Sequence, residues 1–199
     1  MADHYYTDKP TSESNRQDYV VTICHQDFRF VTDAGVFSKK ELDFGTRLLL
    51  ETLVIPEGDS VLDVGCGYGP IGLFIGKSDP SKQVWMIDVN ERALSLAKEN
   101  ARQNEIDNVH IQKSYLFDQV KKKDFTLIVS NPPIRAGKAV VHQLFESAYN
   151  HLAPGGELWI VIQKKQGAPS ALEKLQSIFI NVEVVKKKKG YYIIRSIKS

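Results

Sequence analysis

The stretch "VLDVGCGYGPIG", residues 61–72, decides the fold of this chain. It joins a short apolar run to an apolar segment that starts at Pro70, and Gly65, Gly67 and Gly69 lie between the two. Glycines let the backbone turn tightly and approach a ligand closely, and proline is common in the first turn of a helix. The pattern therefore predicts a strand, a ligand-binding turn, and a helix whose N-terminal amides can donate to the ligand.

The rest of the chain continues this alternation of strand and helix patterns. Short apolar runs typical of buried strands recur along the sequence, at 60–64, 83–89, 109–114, 125–130 and 157–163. Amphipathic segments with helical periodicity lie between most of them. Apolar strands separated by such helices predict a mostly parallel sheet that is covered on both faces.

Two further strand pairs are predicted to be antiparallel. The last two β-rich runs, "VEVVKKK" and "YYIIRSI", are joined by a short turn that leaves no room for a crossover helix. Near the start, "DYVVTICHQDFRFVT" contains two β-rich runs around a His-Gln-Asp turn. We therefore predict an α/β fold: a Rossmann-like, doubly wound, mostly parallel seven-stranded sheet with an antiparallel C-terminal hairpin, plus an N-terminal β-hairpin.

The composition is that of an ordinary soluble domain. Residues 1–17 are polar and lack periodicity, so we expect a flexible N-terminal arm there and a single domain over 18–199. No apolar stretch approaches the ~20 residues of a membrane helix, and the polar N-terminus does not resemble a signal peptide. The cysteines and histidines show neither a disulfide framework nor metal-ligand spacing. These features predict a cytoplasmic protein without a metal site.

The glycine turn is compatible with two nucleotide cofactors. The segment "GYGPIG" satisfies the dinucleotide pattern G-x-G-x-x-G, and Asp88 ends the next strand, where an acid binds ribose hydroxyls. Both NAD and S-adenosylmethionine carry that ribose. Asp63, at the end of the first strand, would repel a pyrophosphate but suits a cofactor with an ammonium and a sulfonium. The charge of Asp63 therefore favours S-adenosylmethionine.

A second motif, "SNPPIRAG" at residues 130–137, follows another predicted strand. Asparagine and proline are ordinary loop residues, so the motif by itself predicts a strand end as readily as a site. Together with the glycine turn, however, the motif predicts a catalytic loop, because an asparagine on a rigid proline loop presents fixed hydrogen-bond acceptors.

Taken together, these motifs resemble those of class I S-adenosylmethionine-dependent methyltransferases, and "NPPI" resembles the N-P-P-[YF] motif of those that act on amines. The segments "GVFSKKELDFGTRLLLETL" and "GGELWIVIQKKQGA" narrow the resemblance to the catalytic domain of ribosomal RNA small-subunit methyltransferase C. That family methylates the exocyclic amine of a guanine. Its members usually carry an aromatic residue at the position of Ile134, and longer members have an additional N-terminal domain. This sequence does not include that domain, so we expect a monomer or a homodimer.

The resemblance also implies roles for individual residues. In the cofactor site, Asp63 and the backbone of Gly65, Gly67 and Gly69 would hold the methionine part and Asp88 the ribose, while Ser114 and Tyr115 would flank the adenine and Phe37 and Thr46 would close the pocket. In the catalytic loop, Asn131 and the Pro132 carbonyl would accept the two N–H groups of the target amine, Pro133 would keep the loop rigid, and Ile134 would pack on the base. Apart from the resemblance, the positive charge of Lys164, Lys165 and Lys186–Lys189 makes these lysines candidates for RNA contacts.

Other functions remain open from the sequence. The N-P-P motif also occurs in methyltransferases that act on a protein glutamine or on DNA adenine. A non-catalytic RNA-binding or assembly protein could retain the fold, and an NAD-dependent oxidoreductase could share the glycine turn. The basic C-terminal hairpin favours RNA over protein as the substrate.

Overall fold

The structure, a computed structural model, describes residues 13–36 and 41–199. Its strands are β1 (Gln17–Ile23), β2 (Gln26–Thr32), β3 (Ser60–Val64), β4 (Gln83–Asp88), β5 (Val109–Lys113), β6 (Phe125–Ser130), β7 (Leu152–Gln163), β8 (Asn181–Lys188) and β9 (Tyr191–Ile197). Its α-helices are α1 (Phe44–Thr52), α2 (Pro70–Ser78), α3 (Glu91–Gln103), α4 (Lys138–His151) and α5 (Ala168–Ile178). Two short 3-10 turns cover Ile134–Ala136 and Lys164–Gln166.

The predicted seven-stranded sheet is confirmed. Its strand order is β5-β4-β3-β6-β7-β9-β8. Strands β3 to β7 pair in parallel, whereas β9 pairs antiparallel with both β7 and β8. The chain therefore forms a doubly wound sheet with an antiparallel hairpin at one edge, and the order reverses at β3.

Both faces of the sheet are buried, which explains the continuous apolar strands. Successive residues of a strand point to opposite faces, so Val61 joins the core beneath α1, α2 and α3, while Leu62 joins the core beneath α4 and α5. All five residues of β3 are buried. A strand with this burial must lie at the centre of the sheet, because only there do helices cover both of its faces.

The N-terminal hairpin forms a separate two-stranded sheet, as predicted, but its turn lies earlier than expected. Cys24 and His25 have φ values of 46° and 66°, and Gln26 and Asp27 already pair within β2. Two consecutive residues with positive φ are typical of a type I′ turn, whose twist matches that of the flanking strands. The geometry of the ladder, rather than the polarity of His-Gln-Asp, therefore sets the position of the turn.

Asn100 of α3 joins this hairpin to the glycine turn. Its side chain is fully buried and accepts a hydrogen bond from the Val31 amide at 2.8 Å. It donates to the carbonyl oxygens of Val31 at 3.0 Å and of Tyr68 at 2.8 Å. The hydroxyl of Tyr68 also lies 2.7 Å from that of Tyr19 in β1. The hairpin therefore supports the glycine turn from behind.

The predicted arm over residues 1–17 falls mostly outside the described residues, which begin at position 13. Ser14 and Asn15 donate hydrogen bonds to the Asp33 carboxylate, and β1 begins at Gln17. The boundary between a flexible arm over residues 1–17 and a domain over residues 18–199 stays a prediction. Within residues 13–36 and 41–199, no helix has the length and apolarity needed to cross a membrane.

Replacing Asn100 by alanine should destabilise the protein by roughly 3 kcal/mol, because buried backbone groups of Val31 and Tyr68 would lose their partners. Urea unfolding followed by circular dichroism would measure this change. Glu99→Ala, on the exposed side of the same helix, should change the free energy of unfolding by less than about 0.5 kcal/mol. Equal effects of the two substitutions would contradict the role given to Asn100.

Candidate active site

The strand order places three loops at one edge of the sheet. Strand β3 pairs in parallel with β4 on one side and with β6 on the other, so the segments that follow all three strands meet at their carboxyl ends. A cavity of ≈ 170 Å³ opens there and is lined by residues from each of these segments. The glycine turn and the N-P-P loop therefore lie side by side.

The glycine turn forms the floor of this cleft. Gly65 and Gly67 have φ values of +73° and +57°, and the amides of Gly65 and Cys66 both donate to the Ile87 carbonyl at 2.9 Å. A Cβ atom added to Gly65 or Gly67 would meet no other atom within 4 Å, so both residues face open space. A ligand can therefore come close to the backbone of the turn.

Gly69 has a different role from the other two glycines. A Cβ atom at Gly69 would lie 2.9 Å from the Leu73 side chain and 3.0 Å from that of Met86. Gly69 also has a φ of 104° and is the residue before α2. It therefore lets the helix start against the core, and it does not line the cleft.

Asp88 lies where the sequence predicts a ribose-binding acid. It lines the cleft, and its two carboxylate oxygens accept the amides of Gly67 at 2.9 Å and Asn90 at 2.8 Å. Burial raises the pKa of Asp88, although the backbone amides act in the opposite direction. Each carboxylate oxygen keeps a second acceptor position. Asp88 can therefore hold the glycine turn and still accept hydrogen bonds from a pair of hydroxyls.

Asp63 is not in the cleft, which differs from the contact with the methionine part that the resemblance implies. It is fully buried, and its Oδ2 accepts the Gly72 amide at 2.8 Å. Among the described residues its Oδ1 has no partner. Burial and, to a smaller extent, the Asp88 charge raise the pKa of Asp63 to about 7, against the effect of the Gly72 amide. Asp63 therefore attaches the first turn of α2 to β3 beneath the cleft.

Two hydrogen bonds and the ring of Pro133 restrict the conformation of the N-P-P loop. Ser130 donates to the Val64 carbonyl at 2.7 Å, which fixes the end of β6 against β3. The Pro132 carbonyl accepts the Ile134 amide at 2.8 Å across Pro133, whose φ of −75° and ψ of 74° are those of an inverse γ-turn. The ring of Pro133 sets the φ angle that this turn requires.

Asn131, Pro132 and Ile134 line the cleft, whereas Pro133 lines a smaller cavity behind Gly65 and Asp88. The catalytic residues that the resemblance implies therefore divide between two cavities.

Thr46 of α1 orients the amide of Asn131. Its buried hydroxyl oxygen accepts a hydrogen bond from Asn131 Nδ2 at 3.1 Å. Asp43 caps α1 by accepting the Thr46 amide at 3.0 Å, which fixes the position of the threonine. With Nδ2 bonded to Thr46, the Oδ1 atom of Asn131 is the free acceptor of this amide. Thr46 also lines the cleft, and its role in closing a cofactor pocket stays a prediction.

The residues that the resemblance assigns to the adenine lie in different places. Ser114 lines the smaller cavity with Asp88, but its hydroxyl already donates to the Leu116 carbonyl at 2.8 Å. Tyr115 is 40% exposed and lines neither cavity. Of the two residues assigned to the adenine, Ser114 therefore shares a cavity with the Asp88 carboxylate and Tyr115 does not. Phe37, which the resemblance assigns to closing the pocket, lies outside the described residues.

Several residues that line the cleft are not predicted from the sequence. Asn90 caps α3 by accepting the Ala93 amide at 3.1 Å, and an asparagine just before a helical segment is a recognisable signal. Gln166 and Tyr191 also line the cleft. They come from the 3-10 turn after β7 and from the start of β9, and no local pattern marks them. Their position depends on how the C-terminal hairpin packs.

Basic residues border the cleft on the side of the C-terminal hairpin. Lys164 and Lys165 begin the 3-10 turn that ends with Gln166, and the Lys164 amide donates to the Gly190 carbonyl at 2.7 Å. This contact brings the tip of the β8–β9 hairpin, with Lys186–Lys189, to the same edge of the sheet. The lysines at 121–123 precede β6 and therefore lie at the opposite edge.

Comparisons with known proteins identify related sequences. The methyltransferase small domain profile matches residues 27–195. A Bacillus subtilis (strain 168) protein, named uncharacterized protein YbxB, is 56% identical over 200 residues and 100% of both chains. The ribosomal RNA small subunit methyltransferase C of Pasteurella multocida (strain Pm70) is 36% identical over 178 residues, which are 86% of this chain and 54% of that protein.

A solved structure shares the fold. It is a T. thermophilus 16S rRNA N2 methyltransferase in complex with AdoMet and guanosine, with a TM-score of 0.82 and 23% identity. The match covers 96% of this chain and 52% of that protein. The chain thus spans about half the length of the two matching ribosomal RNA methyltransferases.

Asp63→Asn should reduce the pH dependence of stability. The pKa of about 7 in the folded state lies above the ordinary value of 3.8, so the folded protein keeps a proton that the unfolded chain loses. The Asp63 contribution to stability is therefore present at low pH and is lost as the pH rises towards about 7. Asparagine keeps an acceptor for Gly72 and cannot ionise.

Between about pH 4 and pH 7, the free energy of unfolding of wild-type protein should therefore fall relative to that of Asp63→Asn, as measured by urea unfolding. Asp118→Asn, at an exposed position, provides the control. A difference that stays constant across this range would show that Asp63 is ionised throughout.

Proposed function

Because this chain belongs to the methyltransferase small domain family, we propose that it transfers a methyl group from S-adenosylmethionine to ribosomal RNA, at the exocyclic amine of a guanine. The observation that carries this proposal is the presence of Asn131, the glycine turn and Asp88 in one cleft. They come from three neighbouring strands and combine a nucleoside-binding edge with a fixed amide acceptor.

The residues present fit S-adenosylmethionine. Gly65 and Gly67 expose their backbone to open space, and Asp88 keeps an acceptor position on each oxygen for the ribose hydroxyls. Ser114 lies beside Asp88 in the smaller cavity. The bound cofactor would supply an electrophilic methyl group on a sulfonium. Because Asp63 lies below the turn, its contribution would be to hold α2 in place for the cofactor.

The N-P-P loop would prepare the amine for methyl transfer. An exocyclic amine is a poor nucleophile because its lone pair is delocalised into the ring. Asn131 Oδ1 can accept one N–H, and the Pro132 carbonyl, which has a second lone pair beside its bond to Ile134, can accept the other. Two such acceptors stabilise the positive charge that develops on the nitrogen. The product is acidic and can lose its proton to water, so no strong base is required.

The charge around the cleft supports RNA as the substrate. Six exposed lysines, Lys164, Lys165 and Lys186–Lys189, lie at the edge of the sheet where the cleft opens. Ammonium groups at this edge suit contacts with phosphates on either side of a target nucleotide. The matching 16S rRNA enzyme was solved with guanosine, which supports guanine as the base.

Binding of S-adenosylhomocysteine measured by calorimetry tests the cofactor, with NADH as the comparison ligand. We expect saturable binding of S-adenosylhomocysteine and none of NADH. Asn131→Ala should lower methyl transfer by roughly 10²–10³-fold while leaving the affinity for S-adenosylhomocysteine unchanged. Loss of cofactor binding in this variant would instead show that Asn131 has a structural role.

Ribosomal RNA from cells with and without the gene tests the substrate. A single N2-methylguanine should disappear from the RNA when the gene is deleted and return after incubation with the protein and S-adenosylmethionine. An unchanged methylation profile would favour a protein glutamine or DNA adenine substrate. An unchanged profile without S-adenosylhomocysteine binding would favour a non-catalytic RNA-binding protein.

Thr46→Val should lower kcat about tenfold, because one hydrogen bond would no longer orient the Asn131 amide. Valine has the shape of threonine but cannot accept from Nδ2. The affinity for S-adenosylhomocysteine and the KM for RNA should stay unchanged, and Thr46→Ser should retain most of the activity. A wild-type kcat in Thr46→Val would show that the amide is held without this bond.

A further inference from the structure

The N-P-P loop of this chain has Ile134 directly after its two prolines and carries no aromatic side chain on which a target base could stack. We propose that Tyr191, from the start of β9, supplies the aromatic surface on which the base stacks. This inference rests on the proposed function, because it assigns a residue to the recognition of the RNA base.

Tyr191 lies in the same cleft as the loop that would hold the amine. It lines the cavity together with Asn131, Pro132 and Ile134, and its side chain is half-buried. The cleft therefore has an aliphatic surface on the loop side and an aromatic surface on the hairpin side. A planar base that presents its amine to Asn131 would lie within reach of both surfaces.

The other described aromatic residue that lines the cleft, Tyr68, is already packed against the N-terminal hairpin. Tyr68 lines the cavity, but it is 2% exposed, and its hydroxyl lies 2.7 Å from that of Tyr19. Its ring also packs edge-on against Phe30 of the N-terminal hairpin. Tyr68 therefore belongs to the support of the glycine turn. Among the described lining residues, Tyr191 is the aromatic side chain with an exposed surface.

The ring of Tyr191 is held in place from below. A Cβ atom at Gly45 would lie only 2.8 Å from Tyr191 Cε1. Because glycine has no side chain, the tyrosine ring can pack directly against the backbone of α1. Phe44 packs against the ring at a centroid distance of 5.5 Å, and Tyr191 pairs with Gln163 and Lys188 in the sheet. A ring fixed before the base arrives loses little entropy on binding.

Stacking on an aromatic ring contributes to affinity without selecting one base, because every base has a π face. Tyr191 would therefore bind the face of the target base by stacking, while the acceptors of the N-P-P loop select a base with an exocyclic amine. This division explains how a chain with an aliphatic residue at position 134 can still hold a planar substrate.

Fluorescence of 2-aminopurine riboside tests this contact directly, because the probe carries an exocyclic amine and is quenched when it stacks on an aromatic ring. With protein saturated by S-adenosylhomocysteine, we expect saturable quenching that Tyr191→Phe retains and Tyr191→Leu removes. Tyr192→Leu is the matched control, because the neighbouring tyrosine packs on the other face of the sheet.

Methyl transfer to ribosomal RNA gives a second readout. Tyr191→Leu should lower kcat/KM for RNA by roughly 5- to 100-fold, and Tyr191→Phe should have little effect. The affinity for S-adenosylhomocysteine should stay at the wild-type value in both variants. Unchanged quenching and unchanged kcat/KM in Tyr191→Leu would overturn the assignment, and so would an equal loss of both in Tyr192→Leu.

Failure of the proposed function has a different signature. Wild-type protein would then bind no S-adenosylhomocysteine or would leave ribosomal RNA unmodified. An error confined to Tyr191 leaves both of these wild-type activities intact.

Discussion

Strand β3 pairs in parallel with β4 and β6, and the main features of the site follow from these two ladders. They bring the glycine turn, Asp88 and the N-P-P loop to one edge of the sheet. The amides of Gly65 and Cys66 reinforce the first ladder by donating to Ile87, and the hydroxyl of Ser130 reinforces the second by donating to Val64. Since β3 is buried on both faces, neither ladder can shift without exposing apolar residues to water.

The site combines rigid acceptors with a backbone that is open to a ligand. Pro133 presets the inverse γ-turn, and Thr46 sets the orientation of the Asn131 amide. Gly65 and Gly67 leave the floor of the cleft uncovered. Such an arrangement favours a reaction that depends on positioning, because the groups need little reorganisation when the substrate binds. The N-terminal hairpin contributes indirectly, since Asn100 ties it to the backbone of the glycine turn.

The charge of Asp63 can be read from the sequence, but the direction of its side chain cannot. Its place at the end of a strand suggested a carboxylate facing a cationic ligand, and that interpretation requires a side chain that points into the cleft. The alternation of β3 instead directs Asp63 towards α2, where its Oδ2 binds the Gly72 amide. Burial then raises the pKa of Asp63 to about 7, which weakens the charge on which the argument relied. The glycine turn and Asp88 indicate a nucleoside-binding site independently of the charge of Asp63.

The sequence by itself determined the alternation of strands and helices, the glycine turn and the N-P-P loop, because each is encoded in a contiguous stretch with its own periodicity or turn chemistry. It also placed Asp88, the predicted ribose-binding acid, at the carboxyl end of a strand. Only the tertiary structure decided which distant side chains complete the site. Asn131 and Thr46 are 85 positions apart, and Tyr191 reaches the cleft from the last hairpin. Such contacts depend on strand order and on the direction of each side chain, which a local pattern does not encode.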